Sequence, residues 1–286
     1  MCAQRRDIPS RSFPVVPLKE MVPSWDLIRH ALEGDAEVVV RALNYRGESG
    51  QWLDPRKVNN RAVRFASEFG HLGVVRAFLE WTGPGGEWVD PRDSDNEAVR
   101  YAARDGHVEV VRALLEWRGP GGQWVDPTNS SNYAVKYASK FGHKGVVQAL
   151  LEWHGPEGQF VDPGGSGFLA MPWAAMNGHV EVVRMLLDWR GPDGEWVDPR
   201  KMENWAVRDA VNYRHVDVVK TFFAWRGPRG ECMDVGAVRW VANCAEVRMM
   251  CDEEAVVRAR WRPLRQAWVG AVMRGVSARA HRAAPR

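Results

Sequence analysis

Asp-Pro recurs every 36 residues along this chain, at Asp54, Asp90, Asp126, Asp162 and Asp198. Histidine keeps the same spacing at His71, His107, His143, His179 and His215, and Gly-Pro does so from Gly83, Gly119, Gly155, Gly191 and Gly227. Three residue types in one period mean copies of a single supersecondary unit. A unit this short buries its apolar face only by stacking on its neighbours, so a linear array is expected in place of one globular core.

The unit that opens at Asn96 shows the design. Val99, Ala102 and Ala103 fall at helical spacing, with Asn96 placed to cap the helix and Gly106 placed to end it in a left-handed conformation. A second helix is predicted over 108–117, with Val108, Val111 and Leu115 on one stripe and Val110 and Leu114 beside it. Gly119-Pro120-Gly121-Gly122 then makes a tight turn, and Gln123-Trp124-Val125 runs out extended to Asp126-Pro127.

The run Gly106-His107-Val108-Glu109-Val110-Val111-Arg112-Ala113-Leu114-Leu115 resembles the second-helix signature of the ankyrin repeat, and it returns almost unchanged from Gly178 to Leu187. Val125-Asp126 is similar to the pair that closes the ankyrin hairpin. Two departures stand out: the period exceeds the usual 33 residues by three, and Glu97-Ala98-Val99-Arg100 replaces the usual Thr-Pro-Leu-His helix start. The form with Asn before Ala-Val-Arg is similar to divergent ankyrin arrays of protists, algae and large DNA viruses. The resemblance implies an all-α fold, an ankyrin-like helical solenoid with short β-hairpin loops and about seven repeats. The units divide as 25–58, 59–94, 95–130, 131–166, 167–202 and 203–234. A degenerate cap follows over 235–258, where Ala237-Val238-Arg239-Trp240 repeats Ala62-Val63-Arg64-Phe65 five residues early. Residues 1–24, with four prolines, read as an extended or disordered leader, and 259–286 as an arginine-rich tail.

Composition narrows the functional classes. The four cysteines, Cys2 before the array and Cys232, Cys244 and Cys251 at its C-terminal end, include no Cys-x-x-Cys pair, so neither a disulfide framework nor a zinc site is expected. Arg5 and Arg6 precede no apolar stretch, which argues against a secretory signal. No run of apolar residues is long enough for a membrane span. A reducing compartment fits, cytoplasmic or nuclear. The net charge of +3 is too small for a general polyanion binder, yet no acidic residue follows Glu254 while eight arginines do.

The repeated histidines and aspartates suggest structure before chemistry. Equivalent side chains in stacked repeats sit about 10 Å apart, whereas zinc gathers its nitrogens at about 2.0–2.1 Å. Each histidine is therefore expected to be buried at the start of the second helix and to bond loop backbone. Each aspartate, Asp234 included, is expected to brace a turn. No isolated carboxylate pair and no glycine loop between strand and helix suggests catalysis, so neither a cofactor nor a metal is expected.

Nine of the fifteen tryptophans fall into two ladders. Trp81, Trp117, Trp153, Trp189 and Trp225 end the second helices and should pack beneath the hairpins. Trp52, Trp88, Trp124 and Trp196, with Phe160 filling the gap, alternate with inward valines and face the other side of the hairpin row. Two readings of the second ladder stay open: stacking between neighbouring hairpins, or an exposed aromatic strip for a partner. The most variable positions are the pairs before Gly-His: Glu68-Phe69, Arg104-Asp105, Lys140-Phe141, Met176-Asn177 and Asn212-Tyr213. The resemblance puts them on the concave surface, which in ankyrin arrays commonly contacts partners. Drift at exposed sites is the alternative, but exposed apolar clusters usually mark contacts. Gly164-Gly165-Ser166-Gly167 and Pro172 set the fifth unit apart. Proline there should make its helix start late or bend, whether as a hinge, a partner notch or simple decay.

These readings favour a non-catalytic, monomeric scaffold that grips another protein on its concave face. The arginine-rich tail supports a second class, a binder of nucleic acid or acidic membrane. A ubiquitin-ligase adaptor is a third, although neither end carries an F-box pattern.

Overall fold

The computed structural model describes residues 24–46, 52–165, 167 and 169–233. The leader (apart from Ser24), the cap over 235–258, Asp234 and the arginine-rich tail lie outside the described residues.

Twelve α-helices follow one another as six antiparallel pairs among these residues. The first helix of each pair is α1 (Ser24–Glu33), α3 (Lys57–Glu68), α5 (Asp93–Asp105), α7 (Asn129–Lys140), α9 (Ala170–Met176) or α11 (Lys201–Asn212). The second helices are α2 (Ala36–Asn44), α4 (Leu72–Glu80), α6 (Val108–Glu116), α8 (Lys144–Leu151), α10 (Val180–Asp188) and α12 (Val216–Ala224). First helices pack on first helices and second on second, always with the neighbouring pair, which is the solenoid the period implies. Between pairs runs a hairpin reduced to one antiparallel bridge, such as Arg118 with Trp124.

The core is one continuous seam. First helices contribute small residues, as in Ala98, Val99, Ala102 and Ala103, all fully buried. Their size lets adjacent helices approach closely. Second helices bury Val110, Val111, Leu114 and Leu115, while Val108 of the expected stripe is only half-buried. Gly106 ends α5 at φ +87°, the left-handed terminus foreseen for it.

Asn96 corrects the sequence reading. It does not cap its own helix. α3, α5, α7 and α11 each open with three left-handed residues, Val58-Asn59-Asn60, Ser94-Asp95-Asn96, Ser130-Ser131-Asn132 and Met202-Glu203-Asn204, before turning right-handed. Each such non-glycine residue costs about 1–2 kcal/mol, least for Asn and Asp. In α5 and α7 the side chain of the third residue offsets part of this by bonding the hairpin that follows. Asn96 Oδ1 accepts the Asp126 N–H at 3.1 Å, and Asn132 Nδ2 donates to the Asp162 carbonyl at 3.3 Å.

The histidines make the second tie between repeats. Nε2 of His71, His107, His143, His179 and His215 donates to the carbonyl of Leu32, Glu68, Arg104, Lys140 and Met176 respectively, at 2.8–2.9 Å. The acceptor lies near the end of the preceding repeat's first helix, 39 residues back, rather than in the histidine's own loop. The aspartates brace their turns as expected. Asp54, Asp90, Asp126, Asp162 and Asp198 each accept the backbone N–H two residues on. Pro172 falls in the first turn of the shortened α9, where a missing N–H removes no helical bond.

Candidate interaction surface

Two surfaces emerged from the sequence, and the fold treats them differently. On the hairpin row, Trp52, Trp88, Trp124, Phe160 and Trp196 are all half-buried. Four of these rings lie against the next repeat's helix-ending tryptophan: Trp52 on Trp81 and Trp88 on Trp117 at 5.4 Å, Trp196 on Trp225 at 5.6 Å, Phe160 on Trp189 at 6.1 Å. Stacking therefore joins the two ladders to each other and not hairpin to hairpin. Arg56, Arg92 and Arg200 cover Trp52, Trp88 and Trp196 about 6 Å from the ring centre. The same arginines hold Asp54, Asp90 and Asp198 through paired hydrogen bonds. Trp81, Trp117, Trp153 and Trp225 are buried, as their place beneath the hairpins requires.

The variable pairs sit at the C-terminal ends of the first helices. Phe69, Phe141 and Tyr213 are about half exposed, at 50%, 47% and 59%. Large apolar side chains of that exposure are few among the described residues, and these three occupy one register position on alternate repeats. Asp105 and Asn177, at the same position between them, are exposed too, as is Asn212. Glu68, Arg104, Lys140 and Met176 are half-buried and tie the strip together. Arg104 bridges Glu68 at 2.9 Å and Asp105 at 2.7 Å. The bond to Asp105 outweighs burial and, with Glu68, holds the guanidinium above its usual range. Phe69 and Phe141 each lie beside the histidine two residues on, with ring centres 6.4 and 6.2 Å apart.

One element of this surface escaped the sequence reading. Four residues before the exposed aromatic position stand Phe65, Tyr101, Tyr137 and Trp173, half-buried and again 36 residues apart. The signal was in the same register as the histidines; helical spacing assigned those positions to no face. Tyr137 stacks on Tyr133 at 4.0 Å and meets Trp173 edge-on at 5.3 Å. Cations lie over these rings: Arg61 on Phe65 at 4.8 Å, Arg104 on Tyr101 at 4.6 Å, and Lys140 within 5.3–5.6 Å of Tyr137, Phe141 and Trp173. A hydrogen bond to Glu97, together with burial, pushes the Tyr101 phenol up, so it stays protonated and polar-neutral. The surface offers ring faces and cations, with the Glu68 and Asp105 carboxylates among them.

A metal-like grouping lies elsewhere. His30, Glu33 and Asp35 offer ligand atoms within 4.8 Å of one another. His30 Nδ1 is engaged by Asp35 at 2.8 Å and the Arg29 guanidinium sits 3.1 Å from Nε2, so a cation already fills that neighbourhood. No helix among the described residues is long and apolar enough to cross a membrane.

A family model described as ankyrin repeats (3 copies) matches residues 63–162 and 135–228, together more than half of the chain. No curated protein sequence matches. Among solved structures, the chain is similar to the ankyrin repeat domain of Bcl-3, a member of the IkappaB family, at 19% identity and a TM-score of 0.46, over 78% of this chain and 95% of that one. It is also similar to the human ASB11 ankyrin repeat domain, at 16% identity and a TM-score of 0.47, over 80% and 96%.

Proposed function

The chain belongs to the ankyrin-repeat family, whose repeat domains mediate protein–protein interaction, and from that premise we propose that it is a non-catalytic module holding a partner protein on its concave, first-helix face. The observation that carries the reading is the trio Phe69, Phe141 and Tyr213, each about half exposed at one register position. Leaving such rings in water forgoes about 25 cal/mol per Å² of apolar surface, which a partner recovers by covering them. The cations and acids around them supply orientation, and aromatic residues with arginine dominate interface energetics. The hairpin tryptophans are the less favoured surface, because their rings are already stacked. The module acts as a monomer in the cytoplasm or nucleus.

The test uses the full chain as bait in affinity capture, beside F69A/F141A and the second-helix control R112A/R184A. Arg112 and Arg184 are exposed on α6 and α10. A partner retained by the wild type and the control but lost by F69A/F141A is the expected result. Retention by all three baits overturns the assignment to this face, and loss with W88A/W124A alone moves it to the hairpin row.

A further inference from the structure

The charges on the first-helix face are unevenly satisfied. In the second and third repeats Arg64 pairs with Glu97, and Arg104 with Glu68 and Asp105, while Arg100 bonds the Ser94 carbonyl. In the sixth, Arg208 lies 3.8 Å from Glu203. Between them the pattern stops. The α7 segment, Asn-Ser-Ser-Asn-Tyr-Ala-Val-Lys-Tyr-Ala-Ser-Lys, contains no acidic residue, and Ala-Met-Pro-Trp-Ala-Ala-Met of α9 contains no charge at all.

Lys136 and Lys140 are thus one helical turn apart on the same side of α7, and neither pairs with a carboxylate among the described residues. The Lys140 ammonium lies over three rings, Tyr137, Phe141 and Trp173. Burial, with no counter-charge to oppose it, holds the Lys136 ammonium below the usual lysine range. On the α5 side, Arg100 lies 5.3 Å over the Tyr133 ring, and its Nε is buried without a partner. A half-desolvated cation that lacks an anion is a disfavoured state, and an anion arriving from outside relieves it. Aromatic walls around it lower the local dielectric and strengthen that attraction.

We propose that this patch, centred on Lys136 and Lys140 and walled by Tyr133, Tyr137, Phe141 and Trp173, receives an acidic segment of the partner protein, its carboxylates on the lysines and an apolar side chain against the rings. The inference rests on the concave-face reading and adds the chemistry of the partner. Geometry sets the spacing. The two lysines lie one helical turn, about 6 Å, apart along α7 and an extended chain advances about 3.3 Å per residue, so carboxylates two residues apart meet both.

The experiment is selection from a random dodecapeptide display library on the full wild-type chain, with enriched peptides measured by fluorescence polarisation. Enrichment in Asp and Glu is expected, with affinity falling at least about tenfold in K136E/K140E and falling steeply with salt. Lys140→Gln, which keeps the side chain's length, should show a smaller loss at an unchanged melting temperature. This guards against misfolding of the double variant. Peptides that need Phe69 and Phe141 but carry no acidic bias overturn this inference and leave the concave-face reading standing. Peptides indifferent to F69A/F141A and to the lysine variants, or no enrichment at all, count against both. If oligothymidylate binds the same patch more tightly than the acidic peptides, the patch is a nucleic-acid site and the proposal fails.

Discussion

Gly106 lies directly beneath the imidazole of His143: a Cβ built on it would stand 2.6 Å from Nδ1, closer than any real contact allows. The same approach recurs for Gly34 with His71, Gly70 with His107, Gly142 with His179 and Gly178 with His215. Glycine is thus required twice at this position, by a left-handed φ and by the next repeat's histidine. The glycine and the histidine of successive repeats form one unit. Arg214 holds this register in the sixth repeat at φ +61°, and no histidine follows in the sequence before His281.

The two requirements are separable by experiment. Gly122 has a φ of +79° with nothing within 4 Å, so G122A should carry only the left-handed strain of about 1–2 kcal/mol. G106A should exceed it, and adding H143A should recover the excess. Chemical denaturation of the four variants measures the coupling between residues 106 and 143. Equal losses in G106A and G122A would show that the helix slides to relieve the contact.

The histidines themselves act as ties. His107→Ala leaves the Glu68 carbonyl without its donor, and an unpaired, partly buried acceptor costs about 1–2 kcal/mol. Because an array is stabilised largely through interfaces between neighbours, the loss should broaden the transition as well as lower it. Glu68→Ala, which keeps the carbonyl, should leave the tie intact. A histidine variant that melts like the wild type would assign the bond no net contribution.

Much of this was legible in advance because the period forces equivalence. Once one Asp-Pro or histidine position is understood, five are, and the helices, turns and buried valines follow. The inter-repeat bonds were not legible in the same way. Asn96 reads locally as a helix cap, and only the packing of the next hairpin shows its oxygen serving Asp126 instead. Local propensity describes a residue's own backbone, whereas the partner of Asn96 lies 30 residues on. The ladder of Phe65, Tyr101, Tyr137 and Trp173 was equally visible as a column of residues. Its side became evident only from the rings and cations gathered around it.

Two aspartates should respond to pH in opposite senses. Burial pushes Asp198 up, but the hydrogen bonds and charge of Arg200 more than reverse it, so its folded pKa lies below the ordinary 3.8. Its stabilisation is complete above that value and is lost as pH falls through the folded one. Burial dominates at Asp209 and raises its pKa, although a bond from Trp205 opposes this. That contribution is complete below 3.8 and is lost as pH rises through the raised value, leaving Asp209 unfavourable at neutral pH. D198N should therefore lower the neutral-pH melting temperature and D209N should raise it, each difference shrinking as pH falls through that residue's folded pKa. Differential scanning calorimetry across that range gives the sign directly, and a stabilising D198N would contradict the ion-pair account.

The interleaved ladders predict a graded series. Trp117 is buried and Trp88 half-buried, with rings 5.4 Å apart. Trp117→Ala should cost about 3–5 kcal/mol, in the range of aromatic truncations in cores, and Trp88→Ala clearly less. The cycle combining both should show a coupling of about 0.5–1.5 kcal/mol, the contribution of an aromatic pair beyond its buried area. Trp88→Phe should be mild, since Phe160 fills the same position against Trp189 at 6.1 Å.

The last prediction separates recognition from folding on a single helix. Phe141 is 47% exposed, while Tyr137, one turn earlier, is half-buried between Tyr133 at 4.0 Å and Trp173 at 5.3 Å. Removing the Tyr137 ring strips neighbours on both sides, so Y137A should lower stability by about 1–3 kcal/mol. Removing the Phe141 ring uncovers little that water does not already reach, so F141A should change stability by less than about 0.5 kcal/mol. Both rings touch Lys140, so both substitutions loosen the lysine that the acidic segment is proposed to meet. F141A should therefore weaken binding at full stability. Y137A should do so while also unfolding earlier. Comparable destabilisation by the two would mean that Phe141 belongs to the core, and the exposed trio would then lose the distinction on which the binding surface rests.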